Sequence, residues 1–145
     1  MNNSASKIKE LAIEVIDKEA AAVSNLKNFV DEQFMMVVDT IFNSNGRLIL
    51  TGIGKSAIIA SKIVATLNST GTPSIFMHAA DAIHGDLGII QKNDIVMCLS
   101  KSGNTSEIKV LVPLIKKMGN KLIAMVSNAD SFLAQHSDFV IKATV

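Results

Sequence analysis

The chain has 145 residues, of which 48% are hydrophobic, and 14 basic side chains against 13 acidic ones give a net charge of +1. This length and hydrophobic content predict one folded domain with a genuine core and exclude intrinsic disorder. The near-neutral charge gives no electrostatic reason to expect a nucleic-acid or anionic-membrane partner, and the lack of Trp and Tyr argues against base stacking.

The single cysteine, Cys98, lies in an apolar run and cannot form an internal disulfide. We therefore expect a small buried hydrophobic side chain in a reducing compartment. No basic-plus-apolar leader opens the sequence, and no apolar run reaches the roughly 18 residues of a membrane span. These features predict a soluble cytoplasmic protein without a membrane partner.

Two helices are predicted in residues 1–45. Apolar residues of the first recur with the period of a helix that has one apolar face, at Ile8, Leu11, Ala12, Val15, Ala22, Val23 and Leu26. The second helix has its apolar positions at Phe34, Val37, Val38, Ile41 and Phe42 and ends at the segment 43–46. At least one apolar stripe has no partner in view within the chain, so we expect a homo-oligomer, a dimer or a tetramer.

From residue 47 the pattern changes to short apolar runs, which predict strands at 47–51, 74–77, 94–99, 121–126 and 138–143. Continuous rather than alternating apolar strands are typical of a parallel sheet covered on both faces. Helical segments are expected between them, near 55–69, 80–84, 105–118 and 131–136. This order predicts an α/β fold with a doubly wound, flavodoxin-like five-stranded parallel sheet, preceded by two N-terminal helices.

Two loops of this fold should meet. With the strand order 2-1-3-4-5, ligands bind beyond the carboxyl ends of strands one and three. Strand one leads into TGIGKS (51–56) and strand three into SKSGNTS (100–106). Each loop joins glycine and hydroxyl residues to the start of a helix, where free N–H groups attract anions. We therefore expect a phosphate site there, with Gly52, Gly54 and Gly103 as the glycines of its loops.

The first loop has alternatives. A nucleoside-triphosphate loop would need glycine at position 49, where the chain has isoleucine. The dinucleotide pattern is met by Gly52, Gly54 and Ala57, but the second strand ends without an acid to hold a ribose. A purely structural turn is the other alternative. No His, Cys and acidic residues have convincing metal spacing, so neither a metal nor a cofactor is expected.

The polar residues of the second loop can also be interpreted as a helix cap instead of a phosphate site. Asn104 and Glu107 are spaced as an N-cap and the third residue of a capping box. That arrangement would leave Ser100, Ser102 and Thr105 unexplained, and these extra hydroxyls favour an anion. Glu107 could serve as a cap, as a chemical group, or as both.

Two further side chains are candidates. Lys55 follows the glycine turn directly and is either a solvated surface cation or a substrate contact. His84, in DAIHGDLG, follows strand two on the same edge of the sheet and is either structural or functional. His78 and His136 have no supporting neighbours and are left without a role.

The segments GIGKS, TLNSTGTPSIFMHAADAIHGDLG and LSKSGNTSEI, in this order and spacing, resemble the sugar isomerase (SIS) domain over residues 45–143. Within that family the chain resembles the arabinose 5-phosphate isomerases. The resemblance implies an aldose–ketose isomerase that interconverts ribulose 5-phosphate and arabinose 5-phosphate without a metal or nucleotide. A phosphosugar sensor of the same fold, which binds without turnover, is the alternative.

The resemblance also implies residue roles. Substrate phosphate would be held by Ser56, Ser100, Ser102 and Thr105. The catalytic candidates are Lys55, Glu107 and His84, the last as a residue that reaches a neighbouring subunit's site.

The same resemblance bears on domain organisation. Relatives carry a second glutamate and a further histidine beyond the fifth strand, and usually a pair of CBS modules. We expect one SIS domain over residues 1–145, with a helical segment at 1–45 and an α/β core at 46–145. We expect it to lack the C-terminal end of the domain and any CBS pair, and to be catalytically incomplete. The outer face of the fifth strand would be covered by the N-terminal helices, or the chain is a fragment.

Overall fold

The computed structural model describes residues 2–143, with side chains from residue 4 onward. Its elements are α1 (Asn2–Asn25), α2 (Glu32–Phe42), β1 (Leu48–Gly52), α3 (Lys55–Ser69), β2 (Ser74–His78), α4 (Ala79–Ile83), β3 (Ile95–Leu99), α5 (Ser106–Met118), β4 (Lys121–Val126), α6 (Phe132–His136) and β5 (Phe139–Lys142). Short 3₁₀ turns lie at Leu26–Phe29 and Asp86–Ile89. The strands, and the helices between them, begin and end within one residue of the predicted positions.

The five strands form one parallel sheet in the order β2-β1-β3-β4-β5, as predicted. All residues of β1 and β3 are buried, which explains why β3 is apolar throughout and β1 is apolar up to Thr51. The chain reverses its direction of winding between these two strands. Their carboxyl ends, and the loops that follow them, therefore lie side by side at the place where doubly wound sheets bind ligands.

Side chains alternate between the two faces of the sheet, and each face has its own helices. On one face, Leu50 and Met97 pack with Val37 of α2 and Val64 of α3. The other face packs against α4, α5 and α6, and its buried sheet residues are Ile49, Met77, Val96, Cys98, Leu122, Ala124 and Val126. Cys98 is completely buried, and burial raises the pKa of its thiol to about 12. It is the buried hydrophobic residue that the sequence predicts.

The N-terminal part of the chain covers the outer strand. Helix α2 packs against β5, and the backbone N–H of Val140 donates to Oε1 of Gln33 over 3.4 Å. The ammonium group of Lys142 lies 5.7 Å from the ring centre of Phe29. Helix α2 and the turn before it therefore pack on the outer strand, which stays partly exposed.

Helix α1 leaves its apolar stripe open. Its main packing within the described chain is with the turn Leu26–Phe29 that follows it. Ile8, Leu11 and Val15 are 65%, 51% and 52% exposed, although they form the apolar face that the sequence predicts. Among residues 2–143, no helix has the length and apolar content that crossing a membrane requires.

A buried ion pair ties the amino ends of the strands together. The Asp94 side chain accepts three hydrogen bonds from Arg47, through the backbone N–H, Nε and Nη2, at 2.9, 3.2 and 2.6 Å. A fourth comes from the backbone N–H of Gln91 at 2.8 Å. Burial alone would raise the pKa of Asp94, but the hydrogen bonds from Arg47 and Gln91 outweigh it and hold the pKa below its usual range. This carboxylate is therefore structural, and it lies at the opposite end of the sheet from the two glycine loops.

Candidate functional site

The two glycine loops leave the sheet from neighbouring positions. Gly52, the last residue of β1, pairs in register with Leu99, the last residue of β3. A Cβ atom on Gly52 would lie 3.1 Å from the Leu99 carbonyl oxygen and 3.2 Å from the backbone nitrogen of Ala57. Glycine at position 52 therefore lets the first loop turn into α3 while it stays close to the end of β3. Gly54, next in this loop, has a positive φ of 57° and is the N-cap of α3.

A cavity of about 290 Å³ lies between these loops. Three of the predicted site residues line it, namely Lys55, Ser56 and Ser100. Its wall also includes Lys101 and Ser127, which the sequence pattern does not single out. Lys101 belongs to the SKSGNTS loop and could have been chosen as a second cation. Ser127 follows β4 and reaches the cavity because its N–H donates to the Lys101 carbonyl oxygen over 3.1 Å.

Larger cavities lie elsewhere on the protein. One of about 540 Å³ opens at the amino ends of the strands, between Phe42 and Arg47. Another, of about 610 Å³, lies between α3 and β2 beside His78. We place the candidate site in the smaller cavity because it lies at the carboxyl ends of β1 and β3, next to helix N-termini, where parallel sheets of this order bind ligands.

The serine hydroxyls of the second loop shape its backbone. The Ser100 hydroxyl oxygen accepts a hydrogen bond from the Gly103 N–H at 3.1 Å, and that of Ser102 accepts one from the Asn104 N–H at 3.3 Å. Within the described part of the chain neither hydroxyl donates its own proton. Both hydroxyls can therefore donate to an anion without disturbing the loop.

Thr105 presents a buried oxygen with no partner. It is the N-cap of α5, but its side chain makes no capping bond, and its Oγ1 atom has no hydrogen-bond partner among the described residues. A buried hydroxyl without a partner is destabilising. Because this oxygen is itself buried, a ligand can reach it only if the surrounding atoms move. The N-terminus of α5 favours an anion in any case.

The predicted capping box is wrong. Thr105, not Asn104, is the N-cap, so Glu107 is the second rather than the third residue of α5. The Asn104 side chain turns away from α5, and its Oδ1 accepts a hydrogen bond from the Phe132 N–H at 3.0 Å. The capping interpretation of Glu107 therefore loses its support.

Glu107 is held as a charged carboxylate. It accepts a hydrogen bond from its own backbone N–H, and its Oε2 accepts a second from the Ser106 hydroxyl at 2.9 Å. These contacts, the backbone one first, hold the pKa of Glu107 below its usual range. At neutral pH the group is a carboxylate, which can take a proton but has none to give.

The other charged candidates are not all brought together. Lys55 is the first residue of α3 and reaches the cavity with an exposed side chain. His84 lies at the C-terminal end of α4 with an exposed side chain, and it is not part of the cavity wall. Ser102, Thr105 and Glu107 are not part of the cavity wall either, although Ser102 and Thr105 belong to the same loop as Ser100.

Two polar atoms near the strand ends have no predicted role. Oγ1 of Thr51 and Nδ1 of His78 are buried and have no hydrogen-bond partner among the described residues. Nδ1 of His78 is 3.9 Å from an Asp81 carboxylate oxygen, which is beyond hydrogen-bond distance. Within residues 2–143, no group of three or more His, Cys, Asp and Glu side chains could hold a metal ion.

Known proteins resemble this chain closely. A family model described as the SIS domain matches residues 40–145. The "Probable arabinose 5-phosphate isomerase" of Haemophilus influenzae is 45% identical over 136 residues, which cover 94% of this chain and 40% of that protein. Arabinose 5-phosphate isomerase KpsF of Escherichia coli O6:H1 is 45% identical over 130 residues, which cover 89% of this chain and 40% of that protein. The solved structure of E. coli CFT073 c3406 in complex with A5P has a TM-score of 0.82 at 36% identity, covering 94% of this chain and 74% of that one.

The chain spans about 40% of the length of these two curated relatives. The family match covers the parallel sheet and both glycine loops, which are the parts of the molecule that form the candidate site. The chain therefore belongs to the SIS domain family.

Proposed function

We propose that this protein is a phosphosugar aldose–ketose isomerase that interconverts ribulose 5-phosphate and arabinose 5-phosphate. The observation that carries the proposal is the cavity in which Lys55 and Ser56 of one loop face Ser100 of the other. The 45% identity to proteins named arabinose 5-phosphate isomerase supports the choice of substrate. No cofactor is required, since the reaction moves a proton between two carbons of one molecule.

The residues divide into two groups in this proposal. Ser56, Ser100, Ser102 and Thr105 hold the substrate phosphate, with the N-terminus of α5 supplying further N–H donors. This grip on the remote end of the sugar fixes the orientation of the reacting carbons.

The proton transfer belongs to the charged groups. Glu107 takes the proton from C2 of the open-chain aldose, and the electron pair of that bond forms the C1–C2 double bond, which leaves an enediolate with its charge on O1. A proton then passes from the C2 hydroxyl to O1, and Glu107 returns its proton to C1, which gives the ketose. Lys55 stabilises the negative charge that develops on the substrate oxygen. His84 contributes to the site of a neighbouring subunit, which agrees with its position outside the cavity of its own chain.

The test is to incubate the protein with arabinose 5-phosphate and to measure ribulose 5-phosphate. Turnover supports the isomerase. Because this chain spans about 40% of its relatives' length, a form as long as the relatives is assayed in parallel. Tight binding without turnover in both forms would instead support a sensor, and no binding in either form would exclude both functions.

Replacing Ser102 by alanine should weaken the binding of arabinose 5-phosphate by about 1–3 kcal/mol, since a hydrogen bond to a charged group is lost. Titration calorimetry measures the effect. Ser69→Ala is the matched control, because the Ser69 hydroxyl also makes a local backbone contact, at the far end of α3. Equal affinities of Ser102→Ala and the unmodified chain would remove Ser102 from the phosphate site.

We also propose that the chain self-associates through the exposed stripe of α1. Burying Ile8, Leu11, Val15 and Val23 would gain roughly 1.5–3 kcal/mol for each fully buried side chain, less the freedom lost on association. A two-fold symmetric dimer is the commonest outcome, and a tetramer the next. The cytoplasmic location and the reducing compartment stay predictions from the sequence.

Replacing Leu11 and Val15 together by glutamate should dissociate the assembly and leave the α/β core folded. The reason is that both side chains are about half exposed on α1 and belong to neither core cluster. Sedimentation at micromolar concentration, with circular dichroism as the folding control, measures both effects. A single species at the mass of one 15.5 kDa chain before substitution would contradict self-association.

A further inference from the structure

The second glycine loop is attached to α6, the short helix that follows β4. The Gly103 carbonyl oxygen accepts a hydrogen bond from the Leu133 N–H at 3.0 Å. The Asn104 Oδ1 atom accepts from the Phe132 N–H, also at 3.0 Å. Two of the first N–H groups of α6, which have no partner inside the helix, are thus satisfied by the loop.

The third N–H group at this end of α6 is satisfied locally. The Ser131 hydroxyl accepts from the Ala134 N–H at 3.4 Å. Gly103 packs directly on Ser131, because a Cβ atom at position 103 would lie 2.1 Å from the Ser131 hydroxyl oxygen. Gly103 also has a positive φ of 64°. The N-terminus of α6 is therefore occupied in holding the loop and is not open to a ligand.

The side chain of Asn104 joins the second glycine loop to α6. While its Oδ1 accepts from Phe132, its Nδ2 donates to the Ser102 carbonyl oxygen at 3.1 Å. Its backbone N–H donates to the Ser102 hydroxyl oxygen at 3.3 Å. The side chain thus joins the backbone of Ser102 to the backbone of Phe132, and Asn104 directly precedes Thr105 in the sequence.

We propose that Asn104 is a positioning residue, which fixes the anion-binding loop against α6 and so sets the hydroxyls of Ser102 and Thr105 for the substrate phosphate. The inference rests on the proposed function in that the anion is taken to be a phosphosugar. The amide is suited to this role because one end donates and the other accepts, whereas a carboxylate only accepts. Preorganised loops bind more tightly because less freedom is lost on binding.

The experiment compares Asn104→Ala with Asn128→Ala as a matched control. Asn128 is an exposed asparagine of the neighbouring loop whose Oδ1 accepts from the Asp130 N–H at 2.9 Å, with no side-chain bond to loop 100–106. Amide hydrogen exchange is followed in the absence of ligand, and the affinity for arabinose 5-phosphate is measured by titration. In Asn104→Ala, exchange at Phe132 and Leu133 should accelerate, and the affinity should fall about tenfold because the loop would then have to be ordered on binding.

A third variant separates the two ends of the amide. Asn104→Asp keeps the acceptor for the Phe132 N–H but loses the donor to Ser102 and places a negative charge beside the anion. Protection of Phe132 should persist while the affinity falls by more than in Asn104→Ala. A melting temperature that changes equally in Asn104→Ala and Asn128→Ala, with affinity lost only in Asn104→Ala, distinguishes positioning from general stability.

The outcomes decide the inference independently of the proposed function. Unchanged exchange at Phe132 and Leu133 in Asn104→Ala, or faster exchange with unchanged affinity, would overturn the positioning role. If the unmodified chain does not bind arabinose 5-phosphate, the proposed function fails, and the exchange measurements still decide whether Asn104 holds the loop to α6.

Discussion

Replacing Glu107 by glutamine is expected to lower kcat for arabinose 5-phosphate by about 10²–10⁴-fold, the usual contribution of a general base. Glutamine has nearly the same shape and its amide oxygen can still accept the local hydrogen bonds, but it cannot take a proton from carbon. The melting temperature should change little, because among the described residues Glu107 accepts hydrogen bonds only from its own backbone N–H and from Ser106. The assay uses a form of the protein as long as the curated relatives.

Glu32→Gln is the matched control for this variant, since Glu32 is an acidic residue in the first turn of another helix, α2. Equal activity of Glu107→Gln and the unmodified protein would exclude Glu107 as the base.

The pH dependence of kcat/KM is a second measurement of the role of Glu107. Because the pKa of Glu107 is lowered, the carboxylate persists as pH falls, so the acidic decline of kcat/KM should lie below the ordinary glutamate pKa of about 4.3.

Replacing Asp94 by alanine is expected to lower the free energy of unfolding by about 3 kcal/mol, near the lower end of the range for a broken buried ion pair. The Asp94 side chain is 1% exposed and accepts four hydrogen bonds, so its loss leaves donors of Arg47 and Gln91 without partners. The Arg47 side chain is 26% exposed, and water can partly replace the lost contacts, which keeps the effect at the lower end. Urea denaturation measures the change.

The control is Lys18→Ala, which breaks the exposed pair between Lys18 and Glu14 on α1 and should cost at most about 0.5 kcal/mol.

The lowered pKa of Asp94 also sets the direction in which the free energy of unfolding changes with pH. Since the pKa of Asp94 is lowered on folding, its stabilisation is present above the unfolded pKa of about 3.9 and is lost as pH falls through the folded value. Asp94→Ala should lack that part of the acid dependence. Equal free energies of unfolding of Asp94→Ala and the unmodified protein at pH 7 would contradict a structural role for the pair of Arg47 and Asp94.

Much of the fold could be predicted because its signals are local. The apolar runs of β1 and β3 predict strands buried on both faces, and both strands are buried throughout. The alternation of strands and helices then leaves few topologies, and the order β2-β1-β3-β4-β5 is one of the common ones. For the same reason the two glycine loops could be placed side by side before their geometry was known.

The prediction for the second loop shows where local signals end. The spacing of Asn104 and Glu107 matches a capping box, yet the amide of Asn104 binds Phe132, which is 28 residues away in the sequence. A local pattern competes with every partner that the fold brings near, and here the distant backbone N–H is the partner that Asn104 takes. Ser127 lies in the cavity wall for a similar reason, since its N–H donates to the carbonyl oxygen of Lys101, a residue that the fold brings near.

The sequence by itself therefore determined the helices, the strands, their order and the edge of the sheet at which a ligand site belongs, because periodicity and turn residues act within a few positions. Only the tertiary structure decided which side chains meet. It placed Lys55, Ser56 and Ser100 around one cavity and left Ser102, Thr105, Glu107 and His84 outside its wall. It also paired Arg47 with Asp94, which are 47 residues apart. Such contacts depend on how the strands and loops pack in space, and the spacing of residues along the chain does not show which distant side chains will meet.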